Sequence, residues 1–404
     1  MTTTAHGPAT ESDRFPLYTP EFAADPHAAY AHMRSTHGAL VPVELSPGVP
    51  ATLVIGYSQA RRILNEPWNF PADPRVWQKE VPATCPVRPM MEWRPNALRS
   101  AEDDHARYRA ANTSSLDAVD QHELRSLVEA VAGAAVGKFR SAGRADLVGD
   151  FARPIAFRVL SKLLGCPDEI GDRIAHGMAS IFNTTDAEHG NQVLGQAVAD
   201  LVALRRRQPA DDVTSRMMAH PGGLDDTEMA HQLVTLYGAG IEPVTNLISN
   251  TCRKILSDDG FSTALHAAQS TVRDALDTVL YQDPPLANYC ISYPPAPVRV
   301  DDVVLPAHQP VVISMAACNN DPALTHGLAA DALAGNRAHL AWSAGPHTCP
   351  ARSHAYLIAE TAISYLLDAH PVMDLAVAEG ELRWRPGPFH RALESLPVIF
   401  PTAR

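Results

Sequence analysis

Apolar residues return every three or four positions through three long stretches of the chain, 102–164, 178–204 and 229–256, and this spacing predicts helices with one buried face. Leu124, Leu127, Val128, Val131 and Ala135 trace such a face in the first of them. A shorter helix is expected over 25–34, where Ala29, Tyr30 and Met33 align, and another over 353–369. Apolar and polar residues alternate at 51–56, with similar runs at 298–304 and 309–314, which read as strands. The fold class is therefore mainly α with minor β, and no internal repeat is present. Proline clusters at 67–95 and 284–310 together with Trp68, Phe70, Trp77, Met90, Met91, Trp93, Tyr289 and Tyr293, which predicts ordered loops that face something apolar.

Composition narrows the picture. With 46% hydrophobic and 19% charged residues, the chain has the makings of a large buried core, and disorder is excluded. No linker-like stretch interrupts it, so a single domain over 1–404 is expected, with 1–20 as a loosely ordered arm. The formal charge of −12 disfavours nucleic acid and anionic membranes, leaving small molecules or a basic protein patch as partners. The first twenty residues carry no basic start followed by an apolar run, which predicts neither signal peptide nor membrane anchor, and hence a cytoplasmic protein. Six cysteines without a C-x-x-C pair argue against a disulfide framework or zinc site but leave room for a lone ligand.

The chemistry concentrates in His339-Leu-Ala-Trp-Ser-Ala-Gly-Pro-His-Thr-Cys-Pro-Ala-Arg352, which leads into an apolar helix. A cysteine just before a helix lies near the free amides of its N-terminus, which favours thiolate and a metal-ligand role. Gly345 and Pro346 permit the tight loop that brings amides to the Cys349 sulfur. An isolated cysteine is more often a structural core residue; the surrounding loop is what favours the ligand. Elsewhere, His105 and Arg109 share one helical face at i and i+4, an arrangement that serves either a solvated face or the grip of one carboxylate from two sides.

Trp342-Ser-Ala-Gly345-Pro-His347-Thr-Cys349-Pro-Ala351 resembles the haem-ligand loop of the cytochrome P450 family, F-x-x-G-x-[HR]-x-C-x-[GA], with Trp342 in place of the usual Phe. The segments Asp25-Pro to Arg34 and Ala317-Cys-Asn-Asn-Asp321-Pro322 also look like landmarks of that family, so the resemblance runs from about residue 20 to the end. It implies a helical prism fold of a divergent soluble actinobacterial type, holding one haem b. Cys349 would be the axial thiolate, with Gly345 shaping its loop. His347, His105 and Arg109 would hold propionates. Dioxygen, NAD(P)H, a ferredoxin reductase and a ferredoxin complete the implied system.

Two departures stand out. Leu236-Tyr-Gly-Ala-Gly-Ile-Glu-Pro-Val-Thr-Asn246 resembles the family's helix over the haem, where A-G-x-[DE]-T-T is usual; Ala239, Gly240 and Glu242 fit, but Pro243 replaces the first Thr. Proline has no hydroxyl and no N–H, so it should free the Ala239 carbonyl and kink the helix. Glu242 with a water held there would then replace the proton relay, unless it sits in an ion pair. Thr278 and Tyr281 stand where the family carries its Glu-x-x-Arg pair, with Tyr281 expected to hydrogen-bond instead, and Ser292 falls near the usual second propionate Arg.

This resemblance implies an oxidoreductase of secondary metabolism, acting on an aromatic small molecule such as a tryptophan-containing cyclodipeptide (a diketopiperazine) by C–C or C–N oxidative coupling. Its alternatives are a conventional hydroxylase or epoxidase and a non-turnover haem protein that serves as a scaffold. The expected substrate walls are Met90, Met91, Trp93, Leu236, Ala287 and Phe389, drawn from loops that converge on the haem in the family, with plain core as the equal alternative for Met90, Met91, Trp93 and Phe389.

Overall fold

A computed structural model describes residues 14–182, 187–325 and 337–402. Its centre is the 32-residue helix Asp226–Ser257, hereafter the central helix, which packs against Arg153–Leu163, Ala187–Arg207, Val272–Gln282 and Arg352–Ala369. A capping box starts it: the Asp225 carboxylate accepts from the Glu228 N–H and the Glu228 carboxylate from the Asp225 N–H. Met229, Leu233, Tyr237, Ile241, Val244, Ile248, Cys252 and Ile255 are buried along it at the spacing of one helical face. Each such apolar side chain contributes about 1.5–3 kcal/mol of transfer free energy, which is why this helix organises the others.

Five strands form the main sheet in the order Phe15–Pro16, Leu40–Glu44, Pro50–Val54, Val311–Ser314, Asn288–Ser292. The second and third make an antiparallel hairpin, the third and fourth run parallel, and the last pairs antiparallel with a register shift between Tyr289 and Ser292. Cys290 adopts φ 52° inside that shift, so the strand bulges there. A three-stranded sheet joins Arg144–Asp146, Pro397–Ile399 and Asp374–Leu375.

Several expectations change. The run at 298–304 is two short strands, Val298–Val300 and Val303–Leu305, turned at Asp301 with φ 52°. Of the expected N-terminal arm, residues 1–13 lie outside the described residues, while Phe15–Pro16 pairs with Val43 and Glu44 and Thr19 caps the helix Pro20–Ala24. The central helix remains helical through Pro243. Among the described residues, no helix is long and apolar enough to cross a membrane.

The two landmark segments meet in space. Arg34, in the last turn of Pro26–His37, donates to the carbonyls of Ile55 and Ala317 at 2.8 and 3.1 Å and pairs with Asp321 at 3.4 Å. This one guanidinium thus clamps the N-terminal helix to the sheet and to the segment that leads toward the Cys349 loop.

Candidate functional site

The Cys349 loop is held from three sides. Gly345 has φ 67°, and a Cβ there would lie 2.0 Å from the Leu64 carbonyl oxygen, so only glycine lets the loop rest on the end of helix Tyr57–Leu64. The Cys349 N–H donates to the Trp342 carbonyl at 2.8 Å, closing the loop on itself. Trp342 packs on Tyr356 of the following helix with ring centroids 5.3 Å apart, the work a Phe would do at that position. Burial pushes the Cys349 thiol up, opposed by the Ala351 N–H aimed at the sulfur and by the charges of Arg109 and Arg352. The amide expected near the sulfur is present, and a bound metal would tip the balance to thiolate.

Helix Glu102–Asp117 brings His105 and Arg109 to this loop. The His105 ring lies 4.0 Å from that of His347, and Arg109 donates to the Thr348 carbonyl, one residue before Cys349. Burial and neighbouring positive charge lower both imidazoles, His347 to about 3, so both are neutral at pH 7. His105 Nε2 is buried without a partner, and no carboxylate pairs with Arg109 among the described residues. A buried imidazole nitrogen without a partner and a guanidinium without a carboxylate, beside a thiol in an amide-lined loop, match the chemistry of a haem, whose iron would take the sulfur and whose propionates would take the imidazole and the guanidinium. The residues present fit that group.

Ala239, Glu242 and Pro243 lie with Thr235 and Gly238 on one stripe of the central helix that is open at Gly238 and Ala239 and partly buried at the other three. Gly240 is on another face: a Cβ there would meet Leu160 Cδ2 at 2.8 Å, so it serves the contact with helix Arg153–Leu163. Arg385, in the terminal turn (residues 384–390), pairs with the Glu242 carboxylate, to which Asn246 Nδ2 also donates at 3.3 Å. The same terminal turn meets the 286–291 segment, where Leu286 bridges His390 and Asn288 donates to the carbonyls of Phe389 and Pro388.

Of the expected substrate walls, Met91, Ala287 and Phe389 are buried together in one apolar cluster with Trp77 and Tyr293. Met90 is 39% exposed, while Trp93 is half-buried under Arg75, whose guanidinium lies 5.6 Å from the ring. Leu236 is partly buried against the helical core. Apolar residues in a loop cannot reveal from sequence whether they meet a core or a cavity.

Beside the position where the Glu-x-x-Arg pair is missing lies a buried acid with its own partners. Asp277, one position before Thr278, is buried and accepts from Tyr356 and from Arg337 Nε, each at 2.6 Å, with Arg273 at 3.6 Å. Among the described residues the Tyr281 hydroxyl has no hydrogen-bond partner, and it is Tyr356 whose hydroxyl reaches Asp277. A second buried pair, Arg391 on both oxygens of Asp283 at 3.1 Å, closes the terminal turn onto the Pro284-Pro285 segment.

No protein-family model matches the chain. It is 29% identical over 392 residues to the cytochrome P450 monooxygenase PikC of Streptomyces venezuelae, covering 94% of this chain and 92% of the relative. Identity to cytochrome P450 107B1 of Saccharopolyspora erythraea is 27% over 389 residues, covering 93% of this chain and 95% of the relative. The solved structure of CYP154C4 from a Streptomyces species superposes with a TM-score of 0.86 at 26% identity, over 96% of this chain and 98% of the other.

Proposed function

Because the chain belongs to the cytochrome P450 family and is an oxidoreductase of that type, we propose that it oxidises an aromatic small molecule of secondary metabolism and joins two substrate centres. A tryptophan-containing cyclodipeptide is the substrate class of this reading, alone or with a nucleobase as second partner. The observation that carries it is the open stripe of the central helix, which has proline in place of an alcohol and whose only carboxylate, Glu242, is engaged by Arg385.

Bound haem, with Cys349 as its thiolate, would supply activation of dioxygen and removal of hydrogen from substrate. The propionates would be taken by His105, Arg109 and His347. Pro243 leaves the Ala239 carbonyl without its helical donor, and that carbonyl would hold a water on the open stripe. Glu242, oriented by Arg385 and Asn246, would pass protons when the ion pair opens. Electrons would come from NAD(P)H through a ferredoxin reductase and a ferredoxin. Coupling removes one hydrogen from each partner and, with two electrons and two protons, reduces dioxygen to two waters. Hydroxylation consumes the same electrons and protons but leaves one oxygen in the product.

Hydroxylation is the second reading, favoured by the monooxygenase name of the PikC relative. Mass spectrometry of turnovers with a surrogate ferredoxin system and a panel of cyclodipeptides, with and without guanine or hypoxanthine, separates the two. A coupled product weighs the sum of its partners less two hydrogens. If the true substrate gives only a product heavier by one oxygen, the coupling reading fails and hydroxylation replaces it.

A further inference from the structure

We infer that Arg99 is the second carboxylate anchor for the haem, standing in for the arginine that position 292 lacks; this rests on the haem-thiolate reading above. Arg99 is 2% exposed and forms no ion pair among the described residues, a rare state for an arginine. One terminal nitrogen donates to the Met90 carbonyl at 2.5 Å and to the Tyr289 hydroxyl at 2.7 Å, while Nε is buried with no partner. A buried cation bonded only to neutral acceptors leaves its charge uncompensated, and an anion is what completes such a site.

Its surroundings say which anion. Tyr289, which Arg99 bonds, packs with Cys290 in one apolar cluster with Leu340 and Ala344 of the Cys349 loop, so the guanidinium sits on a residue that borders the thiolate loop. Tyr289, over whose ring the guanidinium lies at 5.3 Å, belongs to the bulged strand Asn288–Ser292, in which Ser292 is buried with its hydroxyl unpartnered. Arg99 thus reaches across the chain to the strand whose own arginine is missing. The segment that carries it is fixed for this purpose: Asn96 Oδ1 accepts from the N–H groups of Leu98 and Arg99 at 3.0 and 2.9 Å, and Asn96 Nδ2 donates to Thr235 on the central helix at 2.7 Å. His105, Arg109 and His347 would hold one propionate, and Arg99 the other.

The test compares haem with its dimethyl ester, which has the same ring and iron but no carboxylates. Holoprotein carrying either group is mixed with apomyoglobin, and the rate of transfer is followed for wild type, Arg99→Gln and Arg99→Lys. Losing a charge-assisted bond should speed haem transfer from Arg99→Gln about 10-fold or more, with Arg99→Lys between the two. Transfer of the dimethyl ester should change less than about twofold, because it has no carboxylate to lose. Equal acceleration of both groups would reduce Arg99 to a loop brace, and no acceleration of either would overturn the inference, as would an effect confined to the binding of acidic substrates. The long-wavelength Soret band of the reduced CO complex should survive in each variant; its absence from wild type would instead remove the haem-thiolate reading, and the inference with it.

Discussion

Tyr356 donates its hydroxyl to Asp277 at 2.6 Å and so ties the helix after the Cys349 loop to the helix before Pro284-Pro285. Arg337 and Arg273 close on the same carboxylate, and Arg273 also covers the Tyr356 ring at 3.5 Å. Removing the acid strands three donors, whereas removing one donor leaves the acid with two others. Asp277→Asn should therefore cost about 3–5 kcal/mol, the range for breaking a buried pair. Tyr356→Phe should cost about 1 kcal/mol. Arg337→Ala, at a solvent-screened guanidinium, should cost the least of the three. Urea unfolding checks the order, and an Asp277→Asn loss no larger than that of Tyr356→Phe would show that the carboxylate does not organise the network.

Gly345→Ala should prevent the Cys349 loop from seating, because the new methyl would meet the backbone of Leu64 and not a movable side chain. The expected result is low haem content with the helical circular-dichroism signal retained. Cys349→Ser should bind haem weakly and lack the long-wavelength Soret band of the reduced CO complex; a variant that kept the band would refute the ligand assignment. Arg109→Ala should lose haem to apomyoglobin faster than His105→Ala, since only the arginine brings a fixed charge to a propionate.

Acid should weaken the protein in two windows. His390 and His339 are lowered to about 4 by burial, with Arg385 and Arg352 adding to the effect, against 6.5 when exposed. Between those values the unfolded chain binds more protons than the folded one, so stability falls as pH drops from about 6.5 toward about 4. Glu228 lies lower: hydrogen bonds from Arg107 and Tyr108 hold it at about 2 against 4.5, so its contribution is present above about 4.5 and is lost as pH falls toward about 2. His390→Gln should reduce the slope of only the upper window, where His339 still titrates, and Glu228→Gln should reduce only the lower one. Urea midpoints across pH measure this, and wild-type stability that stays flat from 6.5 to 4 would contradict burial of neutral imidazoles.

What the sequence revealed was what lies close together along the chain. The Cys349 loop is one contiguous segment, and its needs for a positive-φ residue at Gly345 and a following helix are local. The central helix announces itself by periodicity, and so do the helices flanking it. Partnerships between distant positions were silent: Arg99 with Tyr289, Glu242 with Arg385, Asp277 with Tyr356 and Arg337. Asp277 shows why, since a one-residue shift along a helix carries an acid to a different face, and only the packed neighbours decide which face counts. Short strands escaped as well, because Arg144–Asp146 is too brief to alternate and Asp301 interrupts an apparently continuous run.

Pro243 offers the sharpest chemical test. Pro243→Thr would restore both an N–H for the Ala239 carbonyl and a hydroxyl on the open stripe of the central helix. The helix should gain stability, haem content should hold, and part of the product should shift from coupling toward oxygen insertion, because a positioned alcohol changes how protons reach dioxygen. Arg385→Gln addresses the same route from the other end by releasing Glu242 from its cation. If opening of that pair limits proton delivery, Arg385→Gln should shrink the solvent isotope effect on turnover without moving the Soret band. The two changes act on one route and should be non-additive when combined. Product masses, electrons consumed per product and turnover in heavy water measure all three variants. Strictly additive effects, or an unchanged isotope effect in Arg385→Gln, would remove Glu242 from the proton path and leave it as a structural ion pair between the terminal turn and the central helix.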